Sequence, residues 1–227
     1  MPDSLVDALR DMKQLILYDL DGTLVDSLED IAQAVNHALS AFHVAALPPH
    51  QIQRYVGRGL RELLASCLKE AQAPRLEQAR ERFLAYYAQH LTDRTVLYPG
   101  VTRLLDYFKA RRQAVITNKP NPHARELLRA LGIERYFLRV IAADDGFPKK
   151  PDPAAVLALM KQEGVAPQET LLIGDSPIDV ETGRRAGVVT VGIAQGFSDP
   201  AELADAAPDL LVRHCDELLE YLRTHHW

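Results

Sequence analysis

An α/β fold, a parallel sheet covered by helices with an all-helical block inserted after its first strand, is the class this sequence predicts. Three observations carry that prediction. A short apolar run over 14–20 has the pattern of a strand buried on both faces. The stretch after it repeats its apolar residues only at helical spacing. Beyond Tyr98-Pro99-Gly100, strand-like and helix-like patterns alternate, as a parallel sheet with crossover helices requires.

The first element is the strand in "QLILYDL", 14–20. The segment before it, "MPDSLVDALRDMKQ", carries acids throughout and lacks a basic-then-apolar leader pattern, so it reads as a short frayed or helical arm. Three helices follow the strand. Leu28, Ile31, Val35, Ala38, Leu39 and Phe42 share one face, as do Leu60, Leu63, Leu64, Cys67 and Leu68, and then Leu76, Phe83, Tyr86, Tyr87 and Leu91. No strand is expected among them. "ALPPH" at 46–50 and "LYPG" at 97–100 punctuate this block.

Further strands are expected at 114–117, 139–143, 170–174, 188–193 and 210–212, with helices at 101–110, 122–131, 153–163, 178–186 and 216–223. The first strand therefore belongs with the second half of the chain. The expected division is a core of 1–22 with 96–227 and a helical cap of 23–95.

Composition narrows the function. The 227 residues carry a formal net charge of -5, which argues against nucleic-acid binding, because phosphate backbones want a basic face. Cys67 and Cys215 lie far apart with no CxxC or Cys/His spacing, so neither a disulfide framework nor a zinc site is suggested and a reducing, cytoplasmic setting fits. No apolar run approaches the length of a membrane span. Whether the chain is a monomer or a homodimer is left open.

The chemistry gathers at strand ends. The first strand runs into Asp19 and Asp21, and because residues i and i+2 of a strand share a face, both carboxylates are expected to project together from its C-terminal end. Two like charges so close would shift each other's ionisation unless a cation sat beside them. Gly22 permits a sharp departure of the backbone. Thr117, Asn118 and Lys119 end a second strand, Asp175 and Ser176 a third, with Asp179 one turn further on. "KKPDP" adds Lys149 and Lys150. Carboxylates, a hydroxyl and a lysine at one sheet edge suit a phosphoryl group with Mg²⁺, which takes one or two carboxylates plus phosphate oxygen and water. Each feature alone has a plainer explanation. Asp-Gly is a common turn, Thr117, Asp175 and Asp179 could cap helices, and the two lysines could be a solvated pair.

In that order along nearly the whole chain, "DLDGTLVDS", "ITNKP", "KKPDP" and "GDSPIDVETGRRAGV" resemble the four motifs of the haloacid dehalogenase-like superfamily of phosphohydrolases. The helical insertion resembles that superfamily's C1 cap, and "TNKP", "YVGRG" and "KPDP" look most like its phosphoglycolate phosphatase branch. The resemblance implies a Rossmann-like core with a cap that sets specificity, and a Mg²⁺-dependent phosphatase acting on a small-molecule phosphate ester. It implies Asp19 as nucleophile forming an aspartyl-phosphate, and Asp21 as acid and then base, a role that its carboxylate neighbour would favour by raising its pKa. It implies Asp19, Asp175 and the Asp21 backbone carbonyl as metal ligands, with Thr117, Asn118, Gly22 and Lys150 around the phosphoryl oxygens. Asp179 would stand behind the metal or orient Lys150.

Arg58, between Gly57 and Gly59 in the cap, is the expected partner of a second anionic group on the substrate. The remaining histidines, His214, His225 and His226 among them, show no ligand-like spacing and are expected at the surface, and Tyr86 and Tyr87 in the cap core. Other functions of the same superfamily, a β-phosphoglucomutase-like sugar-phosphate mutase or a pyrophosphatase, stay open. A dehalogenase would not keep the acid at Asp21, a P-type ATPase needs membrane spans, and a non-catalytic interaction protein need not fill every motif position.

Overall fold

The computed structural model describes residues 13–68 and 74–225; residues 1–12 of the expected N-terminal arm, and His226, lie outside them. In chain order the elements are β1 (Leu15–Tyr18), β2 (Val25–Asp26), α1 (Leu28–Ser40), α2 (Pro49–Gln53), α3 (Leu60–Cys67), α4 (Leu76–Tyr87), β3 (Val96–Leu97) and α5 (Val101–Tyr107). Then come β4 (Arg112–Ile116), α6 (His123–Ala130), β5 (Arg139–Ile141), α7 (Ala154–Glu163), β6 (Thr170–Gly174), α8 (Pro177–Ala186), β7 (Val189–Ile193), α9 (Pro200–Asp205), β8 (Leu210–Val212) and α10 (Cys215–Thr224).

Six strands form one parallel sheet in the order β5-β4-β1-β6-β7-β8. β1 is central and all four of its side chains are fully buried. They alternate between two cores: Ile16 and Tyr18 pack into the larger cluster and Leu15 and Leu17 into the smaller one on the other face. That two-sided burial is why the strand reads as a continuous apolar run. Each such side chain contributes about 1.5–3 kcal/mol of transfer free energy.

Helices α1 to α4 stand between β1 and the rest of the sheet in sequence, and Val35, Leu39, Ile52, Leu64, Phe83 and Tyr87 are buried among them. The two passages into and out of this block are a short antiparallel ribbon, Val25 opposite Leu97 and Asp26 opposite Val96. The sequence reading expected no strand there; two-residue strands are too short to show a period-2 pattern. Asp30 in α1 ties the ribbon down. Its buried carboxylate accepts from the Arg94 N–H at 3.0 and 3.1 Å, the Thr95 N–H at 2.8 Å and the Thr95 hydroxyl at 2.7 Å.

Both cysteines are buried free thiols, pushed up to about 11 by burial. Among the described residues no helix is long and apolar enough to cross a membrane.

Candidate active site

The chain order of the sheet reverses at β1: β4 and β5 lie on one side, β6, β7 and β8 on the other. In open α/β sheets the crevice beyond the strand ends at such a point is where ligands bind. Asp19 follows β1 there, held by its own N–H donating to the Ile173 carbonyl at 2.9 Å, and is 5% exposed.

Asp175, at the end of β6, brings a second buried carboxylate, which accepts from the Thr23 hydroxyl at 2.9 Å and the Phe197 N–H at 2.8 Å. Gly22 makes room for it. With φ at +89° the residue sits where side chains are strained, and a Cβ there would stand 2.3 Å from an Asp175 carboxylate oxygen.

Asp179 is the third. "GDSPID" places Ser176 as N-cap of α8 with Asp179 three residues on, a reciprocal capping box: Oδ2 accepts from the Ser176 hydroxyl at 2.6 Å and its N–H at 3.2 Å. Its other oxygen, Oδ1, accepts from Lys150 Nζ at 2.6 Å. Gly174 allows that first turn to settle on β6, since a Cβ there would meet the Asp179 Cβ at 2.3 Å.

Lys150 Nζ lies 2.8 Å from Asp19 as well, and its side chain is buried. Lys149 is exposed, so of the two lysines only Lys150 reaches this centre. One carboxylate oxygen each from Asp19, Asp175 and Asp179 falls within 4.8 Å of the others. Two of these buried carboxylates, Asp19 and Asp179, share the Lys150 ammonium, while Asp175 is held by the Thr23 hydroxyl and the Phe197 N–H. Burial, partly opposed by Lys150 and reinforced by Asp179, pushes the Asp19 carboxyl up to about 6; burial with Asp179 and Asp19 pushes Asp175 up to about 8. For Lys150, burial pulls down but the Asp179 and Asp19 carboxylates more than restore the charged form. The donor set is short of positive charge and made of hard oxygens, which fits a divalent cation.

Asp21 does not join the cluster. β1 ends at Tyr18, the chain turns at Gly22, and the Asp21 carboxylate accepts instead from the Ser27 hydroxyl at 2.6 Å and from Lys119 Nζ at 2.9 and 3.1 Å. The two acids open on one pocket, but Asp21 stands outside the carboxylate cluster, and Asp179, not Asp21, is the carboxylate that raises Asp19. Asp19 and Asp21 still line one pocket with Thr117 and Lys119, roofed from the helical block by Leu60, Phe83 and Tyr87.

Thr117 is buried at the end of β4, its hydroxyl accepting from the Lys119 N–H at 3.1 Å. Asn118 is a brace: its Oδ1 accepts from the Lys150 N–H at 2.9 Å, and its Nδ2 donates to the Lys150 carbonyl at 3.1 Å and to the Gly57 carbonyl of the helical block at 2.9 Å. Arg58 is exposed, in a cleft with Ser176 and Phe197, and does not line the Asp19 pocket.

Lys119, Tyr87 and His123, which line this pocket, have contacts that the sequence did not show. Lys119 Nζ donates to the Tyr87 hydroxyl at 2.7 Å as well as to Asp21, so Tyr87 is more than core. His123, against the surface expectation, is 4% exposed and stacks on Tyr87 with ring centroids 5.5 Å apart. "TNKPNPH" held the signal for Lys119 and His123, but nothing in its spacing tells a buried basic group from a solvated one.

The family model described as haloacid dehalogenase-like hydrolase matches residues 16–193. The chain is 33% identical over 219 residues to a phosphoglycolate phosphatase of Haemophilus influenzae, covering 92% of this chain and 98% of that one. It is 34% identical over 215 residues to phosphoglycolate phosphatase 1 of Pseudomonas aeruginosa, covering 92% and 79%. Among solved structures, a predicted phosphoglycolate phosphatase from Haemophilus somnus superposes with a TM-score of 0.84 at 29% identity, covering 92% of this chain and 97% of that one.

Proposed function

This chain belongs to the haloacid dehalogenase-like hydrolases and is a phosphatase of small phosphate esters, and from that premise we propose that it hydrolyses a phosphoglycolate-like monoester with Mg²⁺ through an aspartyl-phosphate on Asp19. The observation that carries the proposal is Asp19 itself, a buried carboxylate at the sheet's reversal point, 2.8 Å from the Lys150 ammonium and clustered with Asp175. A substrate phosphoryl group that reaches Asp19 meets a nucleophile already oriented.

Asp19 and Asp175 side chains with the Asp21 backbone carbonyl would hold the ion, and Asp179 would fix Lys150 while standing against the same cluster. When bound, Mg²⁺ supplies charge neutralisation for the carboxylates and the phosphoryl oxygens. In the first step an Asp19 oxygen bonds to phosphorus as the ester P–O bond breaks, and the departing alkoxide takes a proton from Asp21. In the second, Asp21 takes a proton from water as the water oxygen bonds to phosphorus and Asp19 is released. The partners of Asp21, a hydroxyl and an ammonium that both donate to it, suit the accepting role of the second step. Thr117 and Lys150 would hold the transferring oxygens.

A cytoplasmic setting, in keeping with two free buried thiols, belongs to the same proposal. The test is phosphate release from a panel of phosphate esters with Mg²⁺ and again with chelator. Release from small esters that stops on chelation is expected; no chelator-sensitive release from any ester would overturn the proposal.

A further inference from the structure

Resting on the phosphoglycolate-like function proposed above, we infer that Lys119 and Tyr87, and not Arg58, form the anion-reading end of the substrate pocket and select esters whose leaving group carries a carboxylate. Away from Asp19 the pocket is walled by apolar side chains such as Ile31, Val56, Leu60 and Phe83. Its polar side chains there include Lys119, Tyr87, His123 and Tyr55, with Asp21 paired to Lys119.

Lys119, Tyr87 and His123 have hydrogen-bonding capacity to spare. The Tyr87 hydroxyl, 2% exposed, accepts from Lys119 but has no acceptor for its own proton among the described residues. The Lys119 ammonium has three protons; one goes to Tyr87 and the Asp21 oxygens can share a second, which leaves one for a ligand. His123 Nδ1 is buried with no partner, and its Nε2 faces the Leu84 carbonyl at 3.4 Å. With Nε2 donating to Leu84 the neutral His123 ring leaves Nδ1 as an acceptor, so the unspent donors are those of Tyr87 and Lys119; unspent polar groups are costly when buried, and a pocket that keeps them is matched to a polar ligand.

The charge decides which ligand. Burial and the neighbouring Lys119 push His123 down, so the cation at this end of the pocket is Lys119, whose charge is shared with the Asp21 carboxylate 2.9 Å away. One ammonium and one hydroxyl donor fit the two oxygens of a carboxylate, and the apolar walls exclude a second phosphate with its larger charge. Arg58 is exposed and lines the neighbouring cleft with Lys150, Ser176 and Phe197 rather than the pocket of Lys119 and Tyr87. Tyr87 comes from the helical block and Lys119 follows β4 of the sheet, and with their polar atoms 2.7 Å apart the two would meet the carboxylate side by side.

The experiment compares 2-phosphoglycolate with ethyl phosphate, which has the same carbon count but a methyl group in place of the carboxylate. Because Lys119 also holds Asp21, Lys119→Met lowers turnover of both, and the ratio of the two kcat/KM values isolates the selective contact. We expect that ratio to fall about tenfold or more in Lys119→Met, and by a smaller factor in Tyr87→Phe, which keeps the ring packing if the lysine variant does not fold. A ratio unchanged in both variants overturns the inference and leaves Lys119 a positioning residue for Asp21. Calorimetric binding of the same two esters to Asp19→Asn, with and without Tyr87→Phe, separates the failures: if the native chain hydrolyses neither ester, the phosphoglycolate-like substrate falls, while a selective loss of 2-phosphoglycolate binding still supports the pocket and an equal loss of both overturns it.

Discussion

Lys150 and Asp179 form a buried ion pair, Nζ to Oδ1 2.6 Å, with both side chains almost fully shielded from solvent. The same ammonium touches Asp19 at 2.8 Å, so the pair sets where Lys150 stands relative to the nucleophile. Asp179→Asn keeps the oxygen that caps α8 but removes the charge. It should lower kcat/KM about tenfold to a hundredfold with little change in the fold. Asp179→Ala should add about 1 kcal/mol of instability from the lost cap, measured by urea unfolding.

Lys150→Met should be worse on both counts. It leaves Asp19 and Asp179 as neighbouring buried carboxylates without their shared cation, a change that costs about 3–5 kcal/mol when a buried pair is broken. Activity should fall below detection and the urea midpoint should drop together with it.

The raised carboxyls give the metal-free protein a pH dependence of definite sign. Asp19 and Asp175 titrate at about 6 and about 8 when folded, above the usual carboxylate value that they take when unfolded. The unfolded chain therefore releases those protons first, so the protonated pair favours the folded state fully below about pH 4 and that contribution is lost as pH rises through 6 and 8. In chelator, thermal stability should decline from pH 5 to pH 8.5, Asp175→Asn should flatten the decline by a few degrees, and Mg²⁺ should stabilise the native chain more at the higher pH. The melting temperature followed by circular dichroism checks all three.

Asp30 is the second place where one carboxylate holds two segments together. Asp30→Ala strands the Arg94 and Thr95 N–H groups that the carboxylate now satisfies and should cost about 3 kcal/mol, seen as an earlier urea transition. Hydrogen exchange should rise first along 94–97, the return passage of the ribbon.

Much of this site was legible because its residues sit where chain order alone puts them. β1 and β6 are apolar runs that stop in acids, so sequence alone puts Asp19 and Asp175 on one sheet edge. Less legible were the partners of Asp21, which lies in the turn at Gly22 and accepts from Ser27 and Lys119 rather than joining the carboxylate cluster. Lys119, Tyr87 and His123 meet only through the packing of the helical block on the sheet, a long-range fact that no local pattern encodes. The ribbon at 25–26 and 96–97 was invisible for its shortness.

The central claim is that Asp19 becomes covalently phosphorylated. The direct measurement is an acid quench of the Mg²⁺-loaded enzyme during turnover of an ester labelled in its phosphoryl group, followed by peptide mapping. The account predicts a hydroxylamine-labile label on the peptide that contains Asp19, absent in Asp19→Asn. Turnover at native rate by Asp19→Asn, or label on a peptide that excludes Asp19, would contradict it.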